Sequence, residues 1–116
     1  MQKNLLIIED DTDTLSLMKE IFEMSDCVVH EASDSDEALA ILDKDIKLDF
    51  ILTDYNVPGV PPGTTILSLI KENSSLAPDH IYLISGDADT KEIASSEGVR
   101  FLTKPISIND LTDIVE

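Results

Sequence analysis

The segment that decides the fold is Leu5-Leu6-Ile7-Ile8-Glu9-Asp10-Asp11, in which an unbroken apolar run leads straight into three carboxylates. Four apolar residues in a row, without alternation, indicate a strand buried on both faces, as in a parallel sheet. Similar short runs recur at residues 50–52, 81–84 and 101–102, and a more polar run at 27–30 is predicted to be an edge strand. The chain is therefore predicted to contain five strands.

Segments with helical periodicity lie between these runs. Four have a clear apolar face, and a fifth, around Ile93 and Ala94, has a faint one that suggests a movable helix. The clear faces are Leu15, Met18 and Phe22; Ala38, Ile41 and Leu42; Ile66, Leu67 and Ile70; and Leu111, Ile114 and Val115. Predicted helix starts are Ser33 with Asp36, Asp89 with Glu92, and Ser107 with Asp110; each pairs a capping residue with a carboxylate three places on. This alternation predicts a (βα)₅ α/β fold, an open parallel sheet covered by helices on both faces.

The composition indicates one acidic globular domain over residues 1–116. With 8 Lys and Arg against 24 Asp and Glu, the net charge of −16 disfavours direct binding to nucleic acid and favours metal cations and basic partner patches. The lone Cys27 agrees with a reducing cytoplasm, and no apolar run in the sequence is long enough for a membrane span. The apolar pattern of the fifth helix continues up to Val115, so we expect a domain cut from a longer protein.

Polar groups follow four of the five predicted strands at the point where each strand ends. In open parallel sheets, binding sites form outside the carboxyl ends of the strands. The groups are Glu9, Asp10 and Asp11 after the first strand, Thr53 and Asp54 at the third, Ser85, Gly86 and Asp87 at the fourth, and Thr103, Lys104 and Pro105 at the fifth. We expect them to meet at one rim of the sheet.

Three carboxylates at that rim, those of Glu9, Asp10 and Asp54, would repel one another unless a cation lay between them. Mg²⁺ fits such a site because it prefers oxygen ligands and keeps several waters. The alternative is that the acidic residues after the first strand only cap the first helix, a role predicted for Asp11 or Thr12.

Lys104 and Ser85 could assist chemistry at the same rim. An ammonium group could neutralise the carboxylates and later pair with a phosphoryl oxygen, while a hydroxyl donates to another. Taken singly, a lysine is usually a surface solubiliser and a serine a turn residue, so only their joint placement carries weight. With these groups beside it, Asp54, the central carboxylate, could attack phosphorus and form an aspartyl phosphate.

In order and spacing, these residues resemble the receiver domains of two-component response regulators, over essentially the whole chain. The matching pieces are Leu5-Leu6-Ile7-Ile8-Glu9-Asp10-Asp11, Asp54-Tyr55-Asn56-Val57-Pro58-Gly59, Ser85-Gly86 and Phe101-Leu102-Thr103-Lys104-Pro105. The resemblance implies a flavodoxin-like, doubly wound sheet of strand order 2-1-3-4-5. It also implies Mg²⁺, with Mn²⁺ as the alternative ion, held by Asp10, Asp54, the Asn56 carbonyl and, through water, Glu9.

The same resemblance implies the remaining roles. Asp54 would be the phosphoacceptor, assisted by Lys104, which precedes a cis Pro105. Ser85 and Phe101 would form a switch pair, and Asn56 and Asp87 would tune dephosphorylation. Without the resemblance, Phe101 would be interpreted as an ordinary core aromatic.

The resulting hypothesis is a phosphorylation switch rather than an enzyme. A histidine kinase or phosphotransfer protein would phosphorylate Asp54, and the face formed by the fourth helix, fifth strand and fifth helix would change its binding to an output domain or protein. One alternative is a phosphohydrolase with an aspartyl nucleophile. Dehalogenase-like enzymes of this kind use a second Asp as acid/base two places after the first, and this chain has Asn56 there. The other is an interaction domain of the same fold that acts without phosphorylation.

Overall fold

The computed structural model describes residues 2–116 as five strands that alternate with five α-helices. The strands are β1 (Lys3–Ile8), β2 (Cys27–Ala32), β3 (Phe50–Asp54), β4 (Ile81–Ser85) and β5 (Arg100–Thr103). The helices are α1 (Thr12–Met24), α2 (Ser35–Leu42), α3 (Ile66–Asn73), α4 (Asp89–Glu97) and α5 (Ile108–Val115), and a short 3₁₀ turn, Pro78–His80, leads into β4. Within residues 2–116, none of the helices is both long and apolar enough to cross a membrane.

The five strands form one parallel sheet in the order β2-β1-β3-β4-β5. This confirms the predicted (βα)₅ architecture, its strand order and the edge position of β2. Because every strand runs the same way, the residues that follow β1, β3, β4 and β5 come out at one rim. The register pairs Ile8 with Thr53, and Asp54 with Ile84, so the polar strand ends lie side by side.

The sheet is packed on both faces, as its continuous apolar runs predict. Leu5 and Ile7 face α1 and α5, whereas Leu6 and Ile8 face α2, α3 and α4. All four side chains are fully buried, and each contributes about 1.5–3 kcal/mol to the burial free energy. The two cores hold the strand ends in fixed relative positions, which is what a site built from several strands requires.

Two of the three predicted helix caps are wrong in detail. At α2 the N-cap is Asp34, one residue after the predicted Ser33, and Asp34 accepts from the Glu37 backbone N–H at 2.8 Å. Ser33 instead donates to Glu37 Oε1 through both its N–H and its hydroxyl. The motif shifts by one residue because Asp34 has the extended backbone that an N-cap needs.

At α4 the predicted N-cap, Asp89, is the first helical residue, and the N-cap position is occupied by Ala88. The acceptor comes from Asp87, whose carboxylate accepts from the Asp89 N–H at 3.0 Å. The third prediction is confirmed: Ser107 and Asp110 form a reciprocal capping box at α5. Asp11 caps α1, as one of the two candidates for that position.

Candidate functional site

Three acidic residues meet at the carboxyl-end rim of the sheet. Each of Glu9, Asp10 and Asp54 offers a carboxylate oxygen, and these oxygens lie within 4.8 Å of one another. Glu9 and Asp10 follow β1, while Asp54 is the last residue of the adjacent β3. Glu9 is 1% exposed, Asp10 is exposed and Asp54 is intermediate. The predicted carboxylate cluster is therefore present, with a buried side and an open side.

Lys104 brings the opposite charge to this cluster. Its Nζ lies 3.1 Å from Glu9 Oε2 and 3.4 Å from Asp54 Oδ2. Partial burial by itself lowers the pKa of Lys104, but the hydrogen bond and charge of Glu9 and the charge of Asp54 outweigh that effect, so its pKa is raised. Lys104 is therefore protonated at neutral pH. Its ammonium group bridges Glu9, which follows β1, and Asp54, which ends β3.

Glu9 is the carboxylate most affected by its surroundings. Burial raises its pKa, and the charge of Asp54 raises it further, against the hydrogen bonds from the Asp11 N–H and Lys104 and the attraction of Lys104. The net direction is upward. A carboxylate whose charged form is disfavoured in this way gains from a nearby cation, because the cation offsets the cost of its burial.

The donor set of the rim fits a small divalent cation. Three carboxylates face one ammonium group, so the cluster keeps excess negative charge, and all of the acidic ligand atoms are the hard oxygens that Mg²⁺ and Mn²⁺ accept. Asn56, the predicted carbonyl ligand, lies two residues beyond Asp54 in the exposed start of the loop that leads to α3. Its ligand role stays a prediction.

Asp54 has the exposure that a phosphoacceptor needs. Its side chain is 16% exposed, so an incoming donor can reach it from the open side of the rim. The Tyr55 backbone N–H donates to Asp54 Oδ1 at 2.8 Å, and Lys104 approaches Oδ2. These two contacts fix the carboxylate plane while leaving lone pairs on both oxygens.

The two predicted switch residues lie on neighbouring strands. Ser85 ends β4, is 6% exposed, and its Oγ accepts from the Asp87 N–H at 3.0 Å. Phe101 in β5 pairs with Leu83 in β4 and packs, partly buried, against the core beneath α2, α3 and α4. Phe101 thus already has the packing of a core aromatic, and its movement in a switch stays a prediction.

Asp87 and Pro105 complete the predicted set. The Asp87 carboxylate accepts from the Asp89 N–H through Oδ1 at the start of α4, and its part in dephosphorylation stays a prediction. The Lys104–Pro105 peptide bond is cis, the isomer that the resemblance implies. The Lys104 N–H donates to the Ser85 carbonyl at 3.0 Å, which joins the ends of β5 and β4 beside the acidic cluster.

The family model for the response regulator receiver domain matches residues 5–116. The chain belongs to this family. The receiver domain's curated relatives include the two-component response regulator ARR15 of Arabidopsis thaliana, 27% identical over 97% of this chain and 61% of the relative. Another is the aerobic respiration control protein ArcA of Escherichia coli (strain K12), 29% identical over 94% of this chain and 45% of ArcA.

The chain therefore spans less than two thirds of the length of these two relatives. Solved structures agree with the assignment to receiver domains. The receiver domain of the hybrid histidine kinase CckA has 29% identity and a TM-score of 0.76, with 97% of this chain and 94% of that chain covered. A response regulator receiver domain protein from Clostridium thermocellum has 28% identity and a TM-score of 0.82, with 97% and 90% covered.

Backbone donors are the part of the receiver domain's site that the sequence did not indicate. The N–H groups of Asp11 and Tyr55 orient the carboxylates of Glu9 and Asp54, at 3.1 and 2.8 Å respectively. Every residue except proline has such a donor, so residue type gives no signal for it. These contacts depend on the path that the backbone takes after β1 and β3, which only the three-dimensional structure shows.

Proposed function

We propose that this receiver domain accepts a phosphoryl group on Asp54 and thereby changes what it binds. The observation that carries the proposal is the position of Lys104, whose ammonium group lies against both Glu9 and Asp54. A partly exposed carboxylate beside a fixed cation and two further acids is suited to attack on phosphorus, because the charge that develops on the phosphoryl oxygens meets a positive group already in place.

The residues that would hold Mg²⁺, or Mn²⁺ in its place, are Asp10 and Asp54 directly, Glu9 through water, and Asn56 through its backbone carbonyl. When bound, the ion would offset the repulsion among the carboxylates and neutralise charge on a phosphoryl oxygen. Support comes from the three acidic oxygens within 4.8 Å and from the upward pKa shift of Glu9, both of which favour a cation at the rim.

In the proposed step, an oxygen of Asp54 forms a bond to the phosphorus of a phosphohistidine on the donor. The P–N bond breaks, and the imidazole nitrogen keeps the electron pair and takes up a proton from solvent. Lys104 stays protonated throughout, as its raised pKa requires, and pairs with a phosphoryl oxygen. Ser85 donates its hydroxyl hydrogen to another. Release of the phosphoryl group to water would return Asp54 to its carboxylate form, with Asn56 and Asp87 setting the rate.

The readout would begin with Ser85, because it directly follows Ile84, the sheet partner of Asp54, and its own peptide carbonyl accepts from the Lys104 N–H. Movement of Ser85 toward the phosphoryl group would change the packing around Phe101, which contacts the core under α4. The face formed by α4, β5 and α5 would then favour a different partner. The energy for this change comes from the new contacts of the phosphoryl oxygens.

The proposed donor is a histidine kinase or phosphotransfer protein, and the proposed receiver of the signal is an output domain or protein. The family of the chain and the greater length of its relatives support these partners and a setting within a longer protein. We also propose a cytoplasmic location, which suits the free thiol of Cys27.

A phosphorylation assay with an intact-mass readout tests the proposal. The chain is incubated with Mg²⁺ and a small acyl phosphate, in wild type, Asp54→Asn and the control Asp36→Asn, which removes an exposed carboxylate of α2. We expect an adduct of one phosphoryl group in wild type and Asp36→Asn and none in Asp54→Asn.

Two results would contradict the proposal. If the folded wild type forms no adduct, the remaining hypothesis is an interaction domain that acts without phosphorylation. Continuous release of phosphate from unrelated phosphoesters, dependent on Asp54, would instead indicate a phosphohydrolase.

A further inference from the structure

The loop between β3 and α3, residues 55–65, is attached to the start of another helix. The Ser35 backbone N–H, in the first turn of α2, donates to the Pro58 carbonyl at 2.9 Å. The first N–H groups of a helix have no partner within the helix, and here one of them is satisfied by the loop. Ser35 is only 1% exposed, so this contact is shielded from competing water.

The side chain of Ser35 also lies close to the same loop. Gly59 has φ +88°, and a Cβ built on it would lie 2.7 Å from Ser35 Oγ. Gly63, in the same loop, has φ +83°, yet apart from its two chain neighbours no heavy atom of the described residues lies within 4 Å of its Cβ position. The two glycines have a similar positive φ, but only Gly59 lies against a neighbouring element.

Ser35 is itself held firmly by the residues around it. Asp34 caps the Glu37 N–H at 2.8 Å, and Ser33 donates to Glu37 Oε1 through its N–H at 2.7 Å and its hydroxyl at 2.5 Å. These bonds fix the first turn of α2. The helix therefore provides a rigid support for the loop rather than following it.

We propose that Ser35 is a positioning residue for the metal site, acting through the backbone of the loop. Asn56 lies midway between two fixed points, Asp54 in the sheet and Pro58 on Ser35, and its neighbour Val57 is buried in the core. With both ends and the middle anchored, the Asn56 carbonyl has little freedom. This inference rests on the proposed function for the ligand role of Asn56, and it adds a residue on a helix outside the rim.

The first test measures Mg²⁺ binding to the whole chain by titration calorimetry, in wild type and Ser35→Pro. Proline is well tolerated at the first position of a helix, and Asp34 has the extended backbone that suits a residue before proline. The substitution keeps α2 but removes the N–H and pushes the Pro58 carbonyl away. We expect Mg²⁺ to bind about tenfold more weakly, the usual cost of losing a group that orients a metal ligand. Circular dichroism checks that the helices remain.

The second test uses the two glycines as a matched pair. Gly59→Ala and Gly63→Ala both place a side chain at a similar positive φ, but only the first meets Ser35 Oγ. We expect Gly59→Ala to weaken Mg²⁺ binding and to raise the Mg²⁺ concentration that half-saturates phosphorylation, relative to Gly63→Ala. Adding Ser35→Ala to Gly59→Ala leaves the nearest atoms at 3.7 Å or more, so this double variant should recover the values of Gly63→Ala. General destabilisation would show no such rescue.

The outcomes separate this inference from the proposed function. If wild type forms the phosphoryl adduct, but Ser35→Pro and Gly59→Ala bind Mg²⁺ as Gly63→Ala does, the positioning role of Ser35 is overturned and the phosphoacceptor role stands. If wild type binds Mg²⁺ and the variants lose affinity as expected, but no adduct forms, the positioning role stands and the phosphoacceptor role is overturned. A wild type that binds no Mg²⁺ overturns the positioning role.

Discussion

Helices α3 and α4 cover the same face of the sheet and have nearly equal lengths, yet they are anchored very differently. Helix α3 buries Ile66, Leu67 and Ile70 almost completely and begins with a reciprocal capping box between Thr65 and Ser68. Helix α4 buries Thr90 and Ala94 and begins after Ala88, a residue with no side-chain acceptor. Much less apolar surface therefore holds α4 in place.

The difference indicates which of the two helices costs less free energy to displace. Elements with few buried apolar contacts open at the lowest free-energy cost. Helix α4 begins four residues after Ser85, and its Ile93 and Ala94 belong to the same core cluster as Phe101. The helix therefore connects the candidate site to a surface that is weakly anchored. The faint apolar pattern around Ile93 and Ala94 predicted this weakness from the sequence.

The largest expected contrast comes from truncating one apolar residue in each helix. Ile70→Ala in α3 removes a fully buried side chain and should lower the free energy of unfolding by about 2–5 kcal/mol. Ile93→Ala in α4 removes a half-buried one and should cost about 1 kcal/mol. Urea denaturation of both variants measures the difference, and equal losses would show that α4 is anchored as firmly as α3.

The caps offer a second, smaller contrast. Thr65→Ala removes the acceptor for the Ser68 N–H and half of the capping box, which should cost about 1 kcal/mol. Ser95→Ala, at an exposed position of α4, should change stability by less than about 0.5 kcal/mol. The same denaturation measurement applies, and a loss at Ser95 as large as that at Thr65 would contradict the comparison.

A third prediction concerns a charged contact between α3 and α4. Lys71 in α3 donates to the Glu97 carbonyl at 2.7 Å and lies 3.3 Å from Glu97 Oε1. Because the pair is exposed, Lys71→Met should change global stability by less than about 1 kcal/mol. It should nevertheless speed amide hydrogen exchange in α4 while leaving α3 unchanged.

Lys91→Met, which removes an exposed lysine of α4 itself, serves as the control for the loss of one positive charge. If both variants exchange alike, Lys71 does not anchor α4.

The smallest effect is a pH dependence at α2, a third helix of this face. Hydrogen bonds from Ser33 hold the pKa of Glu37 below its usual value of 4.5. A carboxyl with a lowered pKa in the folded state adds stability above pH 4.5, and that stability is lost as the pH falls through the lower folded pKa. Glu37→Gln should therefore be slightly less stable than wild type at pH 7, with the gap closing below pH 4.5.

Thermal unfolding across this pH range checks the prediction. Asp36→Asn removes a neighbouring charge from the same turn and controls for the interaction of α2 with negative charge at its start. A gap between Glu37→Gln and wild type that widens as the pH falls would have the wrong sign.

Much of the fold could be predicted because the apolar runs are continuous and evenly interrupted. The run Leu5-Leu6-Ile7-Ile8 is completely buried. A strand exposed on one face would place two of these four apolar side chains in water. The precise starts of α2 and α4 were predicted wrongly because Ser33, Asp34, Asp87 and Asp89 are all competent caps. Which of them accepts depends on the local backbone conformation, and residue type alone does not fix that.

Most of the candidate site could also be placed, since parallel strands bring their carboxyl ends to one rim. Glu9, Asp10, Asp54 and Lys104 meet there as predicted. The proposed contribution of Ser35 had no sequence signal, because its donor is a backbone N–H and the acceptor, the Pro58 carbonyl, is distant along the chain.

The sequence by itself determined the alternation of strands and helices and the acidic and basic residues that end the strands, because burial periodicity and residue chemistry are local properties. Only the tertiary structure decided that Lys104 bridges Glu9 and Asp54, that Glu9 is buried enough to raise its pKa, and that α2 supports the β3–α3 loop. These are distances and burial between residues far apart along the chain. They exist only once both cores have packed and fixed the strand ends relative to one another.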